Sequence, residues 1–148
     1  MNSADINLIR SSFAKVVPIA DTAAGLFYDR LFELDEDLRP LFHSDLERQG
    51  RLLMQMIATA VDNLDDLERL VPLVQKLGER HRVYGVEPGH YDTVGAALLW
   101  TLEQGLGEHY TSDVAQAWCN AYGLLSGVMQ DAAGYADDVA PEAVGAPT

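Results

Sequence analysis

The apolar positions of this chain recur at spacings of three and four almost from its first residue, the period of a helix with one face turned inward. Residues 4 to 17 carry Ile6, Ile9, Phe13 and Val16 on such a stripe, and Pro18 follows it. From 21 to 34 the stripe resumes with Leu26, Phe27, Leu31 and Leu34, with Asp21 as a candidate cap. A short turn, "DEDLRPLF", leads to a capping-box pattern from Ser44 to Glu47, which predicts the start of a third helix. That helix puts Leu46, Gln49, Leu53, Met56, Ile57 and Ala60 on one face.

After a polar break at 63 to 66, a fourth predicted helix runs to about Tyr84, with Leu70, Val74, Leu77, His81 and Tyr84 in one stripe. The stretch "GVEPG" at 85 to 89 stops it. Two long apolar helices, about 90 to 106 and 112 to 134, complete the pattern. Nothing alternates with period two for long enough to make a strand. The expectation is an all-α protein with one domain over residues 1–136 and a fraying tail, "DDVAPEAVGAPT", at 137–148.

Composition narrows the function classes. At 148 residues and 48% apolar, the chain can bury one substantial core, and it has no unbroken apolar run of about 18 residues to span a membrane. Its first residues, "MNSADINLIR", lack the basic and apolar regions of an export signal. Cys119 is the sole cysteine, so an internal disulfide, a CxxC zinc clamp and a CxxCH haem attachment are all excluded, and a reducing cytoplasm fits. Ten basic residues against 23 acidic ones, net −13, cannot form a dominant basic face. Nucleic acid and anionic membrane surfaces are therefore disfavoured as partners.

The chemistry centres on His81, a titratable imidazole in an apolar stripe. Taken alone, such a histidine is more often a core residue bonded to a backbone carbonyl. Phe42 alone reads as a plug between helices, Gln49 as a boundary residue, and Tyr28 and Tyr91 as core aromatics. Together they suggest more. A flat apolar cofactor with a central metal needs a nitrogen ligand on one side, which His81 supplies. It also needs a small polar pocket on the other side (Gln49, Tyr28) and apolar packing (Phe42, Leu53). Haem iron is often held by a single histidine, leaving one site open for a gas.

On these residues the sequence resembles the globins: bacterial single-domain globins, the globin domains of flavohaemoglobins, and neuroglobin-like proteins. The motifs are "LFYDRLFELDEDLRPLF" (26 to 42), "ERQGRLLMQMIATAVDNLDDL" (47 to 67), "LGERHRVYGVEPGHYDTVG" (77 to 95) and "AWCNAYGLLSGVM" (117 to 129). The resemblance implies a three-on-three helical sandwich around non-covalent haem b. It makes His81 the proximal iron ligand, with its second ring nitrogen bonded to a carbonyl near Leu77. It places Phe42 on the haem face, Gln49, Tyr28 and Leu53 on the distal side, and Val86 and Tyr91 on the proximal side. The implied function is reversible binding of O₂, and also CO and NO, at five-coordinate ferrous iron. Tyrosine and glutamine donors favour O₂ over CO.

Two other uses of such a site stay open. A nitric oxide dioxygenase needs a separate reductase, because the chain has no GxGxxG fingerprint. The flavohaemoglobin-like pattern also has a glutamate where Ala133 stands here, which weakens that reading. A haem-based gas or redox sensor needs a partner. A monomer or weak homodimer is expected. Of the remaining residues, His43 sits at the pocket edge, near a haem propionate or in solvent. His90 and His109 are expected to face solvent. Arg51, Lys76 and Arg80 are candidate propionate partners, Trp100 and Trp118 read as core packing, and Cys119 as a buried or boundary thiol.

Overall fold

The computed structural model describes residues 2–42 and 45–134. Six α-helices carry the fold: α1 (Ser3–Val16), α2 (Ala20–Leu34), α3 (Leu46–Asp62), α4 (Leu67–Val83), α5 (Pro88–Leu106) and α6 (Ser112–Ala133). Short 3₁₀ turns at Val17–Ile19, Glu36–Leu41 and Gly107–His109 join them, and the described residues include no strand. His43, Ser44 and the 137–148 tail lie outside the described residues.

Local chemistry sets the helix ends. Asn2 and Thr111 cap α1 and α6 by accepting the N–H of Asp5 and Val114. At α3 the observed cap is Asp45: its carboxylate accepts the Arg48 N–H at 2.8 Å from an extended backbone. Asp21 is not a cap either. The 3₁₀ turn through Pro18 feeds directly into α2, leaving Asp21 in the first turn, where its charge suits the helix dipole. Glu87 and His90 form a reciprocal capping box at α5, with His90 Nδ1 accepting the Glu87 N–H at 2.9 Å. His90, expected to face solvent, therefore has a structural bond.

The helices stack in two layers. α2 packs on α5 and α5 on α6; across from them lie α1, α3 and α4, with α1 and α4 seated on α6 and α3 on α2. The larger core cluster joins Ile9, Phe13, Val61, Leu70, Val74, Leu102, Val114 and Trp118. Ile9 and Leu70 are fully buried, each worth about 1.5–3 kcal/mol of hydrophobic stabilisation. Trp118 packs on Phe13 and donates its N–H to Ser12 Oγ at 2.9 Å, bearing out its expected core place. Trp100 is only half-buried, with the Arg30 guanidinium over its ring. Cys119 is exposed rather than buried or at a boundary, because the inward face of α6 at that turn is taken by Ala117 and Trp118. Tyr84 and Leu34, placed on apolar stripes by sequence, sit at helix ends beyond the last packing neighbour and are exposed. No helix of the described residues is long and apolar enough to cross a membrane.

Candidate functional site

Layer packing leaves a gap where the chemistry is. α3 and α4 belong to the same layer, yet they share no extensive interface. The inward face of α3 at Gln49, Leu53, Met56 and Ile57 is half-buried rather than closed, and so are Leu77 and His81 on α4. Soluble helices ordinarily bury such stripes against a neighbour. Two apolar faces flanking one gap describe a slot for a flat apolar group.

Tyr28, Phe42 and Leu53, which the sequence pattern grouped, belong to a second apolar cluster with Phe27, Leu31, Phe32 and Leu38. Tyr28 and Phe42 meet edge to face with centroids 5.4 Å apart, and Phe32 meets Phe42 at 5.5 Å. Tyr28 is buried, and its hydroxyl makes no hydrogen bond with any described residue. Burial pushes its pKa up to about 12, so it remains a neutral phenol. Gln49 stands on the first turns of α3. The next residue, Gly50, explains how α3 comes so near: a Cβ there would lie 2.9 Å from Ala24 Cβ and 4.0 Å from Tyr28 Cε2. The glycine lets α3 close on α2 beside Tyr28.

On the other side, His81 lies one turn after Leu77 on α4. Burial, and then the charge of Arg80, push its pKa below the ordinary histidine value, so the imidazole is neutral with a free lone pair. The ring sits 6.3 Å from that of Tyr91. Its backbone carbonyl accepts the Val86 N–H at 2.9 Å, which ties Val86 to the end of α4. The expected bond from its ring to the carbonyl near Leu77 is not among the hydrogen bonds of the described residues; the imidazole turns instead toward Tyr91. Arg51, Lys76 and Arg80 are all exposed, as is His109.

Several contributors had no role in the sequence reading. Val94 and Leu98, on α5, pack on the Tyr28 cluster and lie three and seven residues after Tyr91, so one face of α5 floors the gap from side to side. Tyr122 donates its hydroxyl to the Tyr91 carbonyl at 2.6 Å and pins that floor to α6. Behind Leu53 the interior holds an apolar void of about 20 Å³, reaching Phe13, Phe27, Leu98 and Trp118. Among the described residues no three acidic, cysteine or histidine side chains cluster as a metal-binding group. A metal held by His81 would need its remaining ligands from a carrier.

The residues fit a haem on those grounds: a two-sided apolar slot, one neutral imidazole, and a tyrosine hydroxyl with no hydrogen bond to a described residue. Comparison with known proteins points the same way. The Globin family profile matches residues 25–129. The chain is 32% identical over 129 residues to a flavohemoprotein of Bacillus subtilis, covering 85% of this chain and 32% of that protein. It is 33% identical over 144 residues to neuroglobin of Tetraodon nigroviridis, covering 87% of this chain and 90% of that one. The chain thus spans about a third of the flavohemoprotein and nearly all of the neuroglobin. Among solved structures, a bacterial globin from Campylobacter jejuni superposes with TM-score 0.78 at 23% identity, covering 93% of this chain and 99% of that one. A hexacoordinated haem protein from an anhydrobiotic tardigrade superposes with TM-score 0.81 at 14% identity, covering 90% and 95%. Two helical layers around a histidine-bearing slot, and sequence kinship along most of the chain, make this protein a member of the globin family.

Proposed function

We propose that this globin holds non-covalent haem b in the slot between α3 and α4, with His81 as the single protein ligand to iron. In this reading it binds O₂, and also CO and NO, reversibly at a five-coordinate ferrous site. The observation that carries it is the pair of unclosed apolar faces on α3 and α4, with a neutral imidazole on one and the phenol of Tyr28 behind the other.

When bound, the haem would supply an iron able to take a diatomic gas. The chain's residues account for the rest. His81 offers a lone pair that burial keeps unprotonated. Phe42 and Leu53 fill space around the ring and exclude water. The Tyr28 O–H and the Gln49 amide supply donors on the distal side, and a ligand that gathers negative charge gains from them. O₂ does so more than CO. Gln49 is a poor iron ligand and would not compete with a gas for the metal.

Similarity to flavohemoproteins favours a second use, nitric oxide dioxygenation, with electrons from a separate reductase. The small aliphatic Ala133 on α6 brings no carboxylate to the proximal side, which limits this to modest turnover.

Absorption spectra of the haem-loaded protein, ferric and ferrous, with and without O₂ or CO, test the proposal. A five-coordinate ferrous spectrum that converts cleanly under each gas, and is lost in His81→Ala, is expected. A wild-type protein that takes up no stoichiometric haem overturns it.

A further inference from the structure

Gly78 lies three residues before His81 on the same helix and is buried against α6. A Cβ at this position would come 2.3 Å from the Met129 carbonyl oxygen, 2.6 Å from its Cα and 2.7 Å from its carbonyl carbon. All three are backbone atoms, so no side chain can swing aside. Here α4 and α6 touch main chain to main chain, a closer approach than helices bearing side chains reach. Moreover, among the described residues α6 is the only element with which α4 shares an extensive interface. A second tie, from Arg82 Nη1 to the Ala133 carbonyl, clamps the same two helices one residue beyond His81.

We propose that Gly78 is a positioning residue for the proximal histidine: its contact with the Met129 backbone sets how far His81 reaches into the slot and hence the strength of its bond to iron. A methyl group at 78 must move the helices apart until the contact exceeds about 3.0 Å, a displacement of at least ~0.7 Å at that turn. His81, about 60° round the helix and one turn along, moves with it as part of one rigid rod. Val86 follows, because its N–H is bonded to the His81 carbonyl. This inference rests on the haem reading above.

The test is the iron–histidine stretching band in the resonance Raman spectrum of gas-free ferrous protein. Gly78→Ala is expected to shift the band beyond the wild-type linewidth. Ile9→Val makes a core lesion on α1, away from the slot, and is expected to leave the band in place whatever it does to thermal stability. A haem-loaded Gly78→Ala protein with the wild-type band overturns the proposal, as does an equal shift in Ile9→Val. If Gly78→Ala does not fold, Arg82→Met loosens the same interface without adding bulk at the contact. That variant must then shift or broaden the band, and a wild-type band overturns the proposal. Absence of haem from the wild type would sink the underlying reading instead, so the two failures are distinguishable.

Discussion

Replacing Tyr28 by Phe removes one oxygen from the slot and should change ligand retention far more than stability. The residue is buried, its ring packs on Phe27, Phe32 and Phe42, and its hydroxyl makes no hydrogen bond with a described residue. The hydroxyl is not among the fully buried polar atoms without a partner, so its loss relieves no desolvation penalty, and the ring contacts survive the change. Tyr28→Phe should therefore leave the stability of the gas-free protein within about 0.5 kcal/mol of wild type, a shift of at most roughly 2 °C in the thermal midpoint. On the proposed reading, bound O₂ gives the same hydroxyl a partner. Losing that bond, at about 1–1.4 kcal/mol, should speed O₂ release roughly five- to tenfold. Differential scanning calorimetry under argon and stopped-flow O₂ displacement read the two quantities on one preparation. A variant that releases O₂ at the wild-type rate, or that melts far below wild type without gas, refutes the assignment of this hydroxyl.

The same group predicts alkaline behaviour. Its folded pKa of about 12 exceeds the ordinary value near 10, so the unfolded chain ionises first; the stability it contributes is intact below about pH 10 and lost as pH rises toward 12. Between about pH 9 and about pH 11 the unfolding free energy measured in urea should fall less in Tyr28→Phe than in wild type, by about 1.3 kcal/mol. An equal fall in both would mean that Tyr28 ionises as an exposed tyrosine does. Gly95→Ala would set a Cβ 2.7 Å from Tyr122 Cε2, displacing the ring that holds the Tyr91 carbonyl. A loss of about 1–3 kcal/mol in thermal unfolding is expected, and an unchanged midpoint would show the ring to be free to move. Asp45→Ala should cost about 1 kcal/mol by uncapping α3, with Asn restoring most of it; equal losses for Ala and Asn would implicate the charge instead of the cap.

Helical period carried much of this molecule into view before any coordinates. It located all six helices to within a few residues, because an apolar stripe at 3.6-residue spacing has one economical way to be buried. It set His81 on an inward face, and the needs of a flat cofactor then grouped Tyr28, Phe42 and Leu53, which pack in one cluster. Period reports the face of a helix but not which neighbour meets it. Gly50 and Gly78 were therefore silent, since their importance lies in how near another backbone comes. So were Val94 and Leu98, indistinguishable in sequence from other core positions, and Tyr122, whose partner is a main-chain carbonyl 31 residues away. The Asp45 cap was equally hidden, because a serine and an aspartate in succession both suit that role and the sequence does not choose between them. Cys119 shows the same limit from outside: one residue past Trp118 is enough to turn a thiol to solvent.

The two halves of α4 are anchored unequally. Leu70 and Val74, in the first half, belong to the large core, whereas Leu77 and His81 are half-buried and the helix ends in exposed Val83 and Tyr84. The flank of the second half that faces the slot is open, while its far flank is held to α6 at Gly78 and by the Arg82–Ala133 tie. Amide protons of residues 70 to 74, covered by the core, should therefore outlast those of 81 to 83 at the open end of the helix. On the haem reading, the cofactor covers the one flank that the protein leaves bare. Haem uptake should then slow exchange near Leu77 and His81 and leave that of 70 to 74 unchanged, as a local closing on a body already folded.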